Sequence, residues 1–280
     1  MTTLTPALAE QFLREGTYLR NWSPRTVTTH RDSLATFRAD SPLTKNTLNA
    51  WVAGLRERGI TPGGVNLRAR SLNSFFSWLH QEGHAPERLR VKLLPNPLRP
   101  INLLRDDDVR RLVAFRPACL NQRRAWTLTM VLLDTGLRID EALGLERANV
   151  NLDDLVLRVL GKGRKERLVP LSVEARKHLY RWLAASTGRY VFGVREGGRM
   201  SRTNARRDIR VICKALGITA AVNPHAFRHV FAVNYVRAGG DIYRLSRILG
   251  HSSVTTTQTY LRSMGIEHLR EGHHSPLMRP

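Results

Sequence analysis

Cysteine, acidic residues, lysine and long apolar runs are all scarce in this sequence. The two cysteines, Cys119 and Cys213, stand far apart, which leaves neither a CxxC metal site nor a disulfide framework and fits a cytoplasmic setting. Nowhere do about 18 consecutive apolar residues occur, and Met1 to Glu10 has no basic segment followed by an apolar run. Neither a membrane span nor a secretory leader is therefore expected. Low-complexity tracts are missing too. With 42% hydrophobic and 24% charged residues, the 280-residue chain has the composition of a globular protein, long enough for one large domain or two modest ones. The acids are the most telling shortage: 23 Asp and Glu face 45 Lys and Arg, a net charge of +22. A surplus of that size argues against an ordinary enzyme of small metabolites. It points to a polyanionic partner, nucleic acid first.

The surplus is not confined to one tail. Residues 1–100 hold 14 basic and 7 acidic side chains, and residues 101–280 hold 31 and 16, which suits a chain whose two parts both touch phosphates. Only six of the basic residues are Lys. Codon usage can account for that ratio, but not for the missing acids.

The first hundred residues read as a helical bundle. Ser23-Pro24 is an N-cap followed by proline at the first helical position, with Val27, Leu34 and Phe37 at roughly helical spacing after it. Leu48, Trp51, Val52 and Leu55 repeat the pattern before Gly59, and Val65, Leu72, Phe75, Phe76 and Leu79 form another apolar face between Gly63-Gly64 and Gly83. Three prolines then fall within residues 95–100, which no helix accommodates. The expected organisation is a helical domain over 1–94, a linker over 95–100 and a second domain over 101–280. That second domain is expected to be mainly α with a small β-sheet. Asp106 to Asp108 cap a helix toward Phe115, and Ala125 to Leu133 form an apolar helix stopped by Gly136. Leu155 to Leu160 and Arg167 to Pro170 make a hairpin whose basic tip is Gly161 to Glu166. Helices are expected again over 172–185, 202–216, 224–238, 241–249 and 252–261.

Several segments carry side chains suited to a phosphate. Asn223 and Pro224 start a helix whose first turn places His225 and Arg228 three residues apart, where free N–H groups and a guanidinium fork favour an anion. A zinc reading of His225 with His229 lacks the glutamate and third ligand that such helices use. Arg138 follows a glycine turn, with Glu141 three residues on to orient it. His251 stands at a helix junction, and Tyr260 comes nine residues later. Singly, each has a plain structural reading as a surface pair or a core-edge tyrosine; their joint occurrence is the signal.

In order and spacing, Gly136-Leu137-Arg138-Ile139-Asp140-Glu141-Ala142-Leu143, the hairpin Gly161-Lys162-Gly163-Arg164-Lys165, His225-Ala226-Phe227-Arg228-His229, and Leu249-Gly250-His251-Ser252-Ser253 with Tyr260 resemble the tyrosine recombinases. That family includes the phage integrases and the bacterial Xer recombinases. The N-terminal part is similar to its helical core-binding domain, through Ser23-Pro24-Arg25-Thr26 and Phe75-Phe76-Ser77-Trp78-Leu79, although His30 stands where Tyr is commoner. Resemblance runs from about Leu8 to Met264.

The resemblance implies a SAM-like helical core-binding bundle and a mixed α/β catalytic domain acting on double-stranded DNA. Tyr260 would be the nucleophile, Arg138 and Arg228 the clamp on the scissile phosphate, and His251 a hydrogen-bond donor to it. His225 would take a proton, Lys162 would give one to the leaving oxygen with Lys165 as its rival, and Glu141 would support them. Neither metal nor any other cofactor is required, because two Arg, one Lys and two His already supply the positive field. A homotetramer in the synaptic complex is implied, with a second recombinase or accessory protein left open, and with the stretch after Met264 docking into a neighbour. The absence of a separate N-terminal arm-binding domain tilts the expectation toward the simpler Xer-like or Cre-like kind. Type IB topoisomerase-like relaxation and a non-catalytic basic DNA-binding protein are the alternatives.

Overall fold

The computed structural model describes residues 5–37, 42–95, 104–161, 165–194, 197–219 and 223–250. The chain divides into two compact units, residues 1–100 and 101–280. Among the described residues no helix is long and apolar enough to cross a membrane.

The first unit holds α1 (Pro6–Tyr18), α2 (Pro24–Leu34), α3 (Lys45–Glu57) and α4 (Pro62–Gln81). Each starts on a hydroxyl cap, and three have proline in the first turn: Thr5, Ser23 and Thr61 accept from the N–H three residues on. The cap at Thr61 explains a departure from the sequence reading. Gly63 and Gly64 are expected before the helix but lie inside its first turn, because Thr61 and Pro62 set the start. Helix α4 is the core of the unit: Leu72, Phe75, Trp78 and Leu79 are fully enclosed. Trp78 donates its indole N–H to Glu15 of α1 at 2.6 Å, so the buried ring leaves no polar atom unmet. Beyond α4 the chain runs back along it, held by two amide clamps. Asn73 trades hydrogen bonds with the backbone of Val91 (3.0 and 2.7 Å), and Asn66 with that of Leu94 (both 2.8 Å).

The second unit is mainly α with a three-stranded antiparallel sheet. Its helices are α5 (Asp106–Ala114), α6 (Leu120–Thr135), α7 (Ile139–Leu143), α8 (Val173–Ala185), α9 (Arg202–Ala215), α10 (Pro224–Arg237) and α11 (Ile242–Leu249). Strands β1 (Val150–Asn151), β2 (Val156–Leu160) and β3 (Glu166–Pro170) lie in the order β1-β2-β3. Helix α6 packs against α8, α9 and α10 at the centre. Its buried Thr129 and Thr135 hydroxyls donate to the carbonyls one turn back, at 2.8 and 2.5 Å, which lets polar side chains sit in an apolar core. Gly136 ends α6 in the left-handed region, φ 61°. A Cβ there would stand 2.4 Å from the Phe231 ring and 2.8 Å from Leu249, so glycine is required twice over. The sequence reading lacked the short α7 and the two-residue β1 of this unit, and α1 of the first. The helix expected over 252–261 and the proline linker from residue 96 onward lie outside the described residues.

In the hairpin, Leu157 pairs with Val169 and Val159 with Arg167. Leu157, Val159 and Val169 are buried while Arg158, Leu160, Glu166 and Leu168 face out, the alternation of a sheet covered on one side. Arg167 occupies an inward position.

Candidate active site

Three turns of backbone bring the arginines together. Arg138 stands just ahead of α7, and Glu141, in the third position of that helix, accepts the Arg138 backbone N–H on Oε2 at 2.8 Å. This is capping-box geometry from the acidic side. The same carboxylate takes Arg138 Nη1 on Oε1 at 3.0 Å. Asn223 caps α10 by accepting from the Ala226 N–H at 3.0 Å, which sets Arg228 one turn into the helix with its side chain buried. Helix α11 closes on Gly250 in the left-handed region, φ 65°, leaving its last carbonyls open for donors.

Those carbonyls are where the site assembles. Leu249 O accepts from Arg228 Nη2 at 2.8 Å and from Arg138 Nη1 at 3.2 Å, so guanidiniums 90 residues apart in sequence share one acceptor. Arg138 Nη2 also donates to Gly250 O at 3.3 Å, and Arg228 Nη1 to Gly136 O at 2.8 Å. The negative end of the α11 dipole thus offsets part of the repulsion between two cations that like charge would drive apart. A third arginine joins them. Arg167 pairs both terminal nitrogens with Glu141 (Nη1 to Oε1 3.0 Å, Nη2 to Oε2 2.9 Å) and donates Nε to Ile248 O at 2.8 Å.

The electrostatics follow from this crowding of cations. Burial acts to raise the Glu141 carboxyl, but the Arg167 hydrogen bonds, the Arg138 backbone N–H, the Arg167 charge and the Arg138 side-chain hydrogen bond outweigh it, and the group is held below the ordinary carboxylate range. His225 opens to solvent at the start of α10. Partial burial, then the charges of Arg228, Arg206 and Arg138, push its imidazole below the ordinary value of 6.5. Its neutral form is therefore favoured at pH 7.

Of the seven residues singled out in the sequence, the structure brings Arg138, Glu141 and Arg228 into one hydrogen-bonded cluster, with His225 inside the field of both arginines. Lys162, His251 and Tyr260 lie outside the described residues. The rival Lys165 is exposed on the described side of the hairpin tip. Arg167 is the member the sequence reading missed; its signal was a charged residue at an inward position of an alternating strand. Among the described residues no group of three or more His, Cys, Asp or Glu is placed to hold a metal ion.

The family model described as the phage integrase family matches residues 102–265. The chain belongs to the phage integrase family. Relatives agree with this membership: a Xylella fastidiosa protein named tyrosine recombinase XerC is 32% identical over 223 residues, covering 76% of this chain and 74% of its own length. A tyrosine recombinase XerC of Rhodospirillum centenum is 33% identical, covering 94% of this chain and 85% of its own. Among solved structures, the Tn1549 transposon integrase in complex with a circular intermediate DNA aligns with a TM-score of 0.81, over 98% of this chain and 100% of that one. At 19% identity it shows the fold. The integrase fold therefore extends over both units, and the chain is a DNA strand-cleaving and rejoining enzyme of the tyrosine recombinase class.

Proposed function

We propose that this integrase-family chain performs site-specific recombination on double-stranded DNA through a 3′-phosphotyrosyl intermediate, with Tyr260 as the nucleophile. The observation that carries the reading is the pair Arg138 and Arg228 meeting on the Leu249 carbonyl, with Glu141 bound to the first. A phosphodiester under in-line attack spreads negative charge over its non-bridging oxygens, and two fixed guanidiniums in a partly dry site stabilise that charge. Lysine could not replace their planar forks. In the step itself the Tyr260 Oη–phosphorus bond forms and the phosphorus–O5′ bond breaks. The phenol proton passes to His225, and Lys162, or in its place Lys165, protonates the departing 5′-oxygen. His251 donates to a phosphate oxygen, and Glu141 keeps Arg138 aimed. The ester conserves the bond energy, so a 5′-hydroxyl from another strand reverses the step through a Holliday junction without ATP.

The helical unit serves as the core-binding module and the second unit as the catalytic module, and the positive charge of both supplies the phosphate contacts. Supporting this, the Tn1549 integrase is a DNA complex by its description. A homotetramer in the cytoplasm, coupled by the stretch after Met264, completes the proposal. The test is a nicked suicide substrate on which cleaved protein stays covalently trapped. The wild type is expected to trap and Tyr260→Phe to trap nothing; equal trapping by both, or none by the wild type, defeats the assignment. Relaxed plasmid with no recombinant product would instead mark topoisomerase chemistry. A chain cut at Gly265 that recombines at the full rate would remove the coupling role of the C-terminal stretch.

A further inference from the structure

We propose that Arg167 is a positioning residue for strand cleavage: it locks the Glu141 carboxylate, and through it Arg138, between the neck of the β2–β3 hairpin and the end of α11. The inference deepens the function proposed above and rests on it. Strand alternation is the first indication, since Arg167 faces inward opposite Val159, where an apolar side chain would satisfy the core. A guanidinium at such a position needs partners and a counter-charge, and here each of its three nitrogens donates a hydrogen bond, two of them to a carboxylate.

The carboxylate of Glu141 offers about four lone-pair directions. Arg138 occupies two, one through its backbone N–H and one through Nη1, and Arg167 fills the other two. Terminal torsions of glutamate are broad and roughly two-fold, and Arg138 alone restrains the carboxylate with two bonds, of which one comes from its guanidinium. With Arg167 in place, any rotation also breaks two further charge-assisted bonds. Its Nε bond to Ile248 O fixes the same group to the helix whose next two carbonyls hold Arg138 and Arg228.

The surroundings of the guanidinium are equally specific. A Cβ built on Gly250 would lie 3.1 to 3.2 Å from Arg167 Cζ, Nε and Nη1, and one built on Gly161 would lie 3.3 Å from Nη1. The flat group is thus packed between two glycines. In the sequence Gly161 precedes Lys162 and Gly250 precedes His251. One side chain therefore ties together the backbone leading into the proposed acid, the backbone leading into the proposed phosphate donor, and the proposed arginine clamp.

The test uses the full chain with Arg167→Met, which keeps an unbranched stem, and Arg167→Lys, in single-turnover cleavage of the nicked suicide DNA. Misplacing a clamp by about 1 Å costs roughly a hundredfold in rate, and that loss is expected for the Met variant at unchanged DNA affinity, with partial recovery in the Lys variant. A second substrate carries an uncharged methylphosphonate at the scissile position. Because Arg138 has no full negative charge to stabilise there, the gap between Arg167→Met and wild type is expected to shrink, which loss of fold alone would not produce. Adding Arg167→Met to Arg138→Ala is expected to cost little more than Arg138→Ala alone. Cleavage by Arg167→Met within twofold of wild type, or an equal defect on both substrates, overturns the positioning role while leaving the recombinase reading intact. A wild type that never traps on DNA overturns both.

Discussion

Replacing Glu141 by glutamine changes one atom in a carboxylate that accepts four hydrogen bonds from two arginines. The Glu141 side chain is only 6% exposed and Arg167 14%, whereas Arg138 is 37% exposed, so the Arg167 pair sets the size of the effect and the Arg138 pair is partly screened by water. Glutamine keeps one acceptor oxygen but turns an N–H₂ toward the guanidinium, so Arg167 stays buried without its counter-charge. Breaking a buried pair from one side costs about 3 to 5 kcal/mol; with a urea slope near ~2 kcal/mol per molar, the midpoint should fall by about 2 M. The readout is urea unfolding of the full chain followed by hydrogen exchange, so that peptides of the second unit are scored apart from the helical unit. Acid supplies the internal control. The Glu141 carboxyl is depressed in the folded protein, so its contribution is complete above the ordinary value of 4.5 and is lost as the pH falls through the lower folded value. The gap between wild type and Glu141→Gln must therefore close in strong acid. A loss under about 1 kcal/mol at pH 7, or a gap that does not narrow with acid, would falsify the view that the Arg167–Glu141 pair holds this corner together.

Three other outcomes are expected. Arg228→Lys gives up the fork that spans Gly136 O and Leu249 O, and suicide-substrate cleavage should drop about a hundredfold or more with DNA binding little changed; cleavage within fivefold of wild type would count against the clamp. Gly136→Ala forces a side chain into the left-handed region and against Phe231 at 2.4 Å, and urea titration should show a loss of about 2 to 4 kcal/mol. Burial, the largest cause at each, lowers His30, His178, His225 and His229 below 6.5. Below that pH the unfolded chain binds protons that the folded one refuses, so stability is complete above about 6.5 and declines on acidification. A urea midpoint at pH 5.5 equal to that at pH 7.5 would contradict this.

How far the fold was legible depends on which rule each element obeys. Helices announced by a local device were readable: Ser23-Pro24 opens α2, Asn223-Pro224 opens α10, and Gly136 closes α6. Those are contests between neighbouring backbone groups, decided within a few residues. Helix α7 was not readable because five residues cannot show a hydrophobic period, and it exists through the Glu141 side chain rather than through propensity. Strand β1 is two residues whose partner lies across the sheet at Val156 and Leu157, information no local window contains. The glycines Gly63 and Gly64 misled because Gly usually ends helices, yet Thr61 and Pro62 outweigh them.

The site divides along the same line. Arg138, Glu141, His225 and Arg228 were legible as types at fixed spacings, since a phosphate needs forked cations and a proton acceptor wherever the chain supplies them. What spacing could not carry is the medium that holds like charges together. Arg138 and Arg228 can approach because the Leu249 carbonyl accepts from both and the Glu141 carboxylate pairs with Arg138, and that arrangement is set by packing α10 against α6 and α11 against α10 and β3. Arg167 belongs wholly to this second kind. Its neighbours in sequence, Glu166 and Leu168, are exposed, and its partners lie 26 residues upstream and 81 downstream. Only the pleat of β3 turns it inward. The one clue open to a reader of sequence was a cation where an alternating strand calls for a hydrophobe, and such local violations mark places where a fold gives up core packing to hold a functional group.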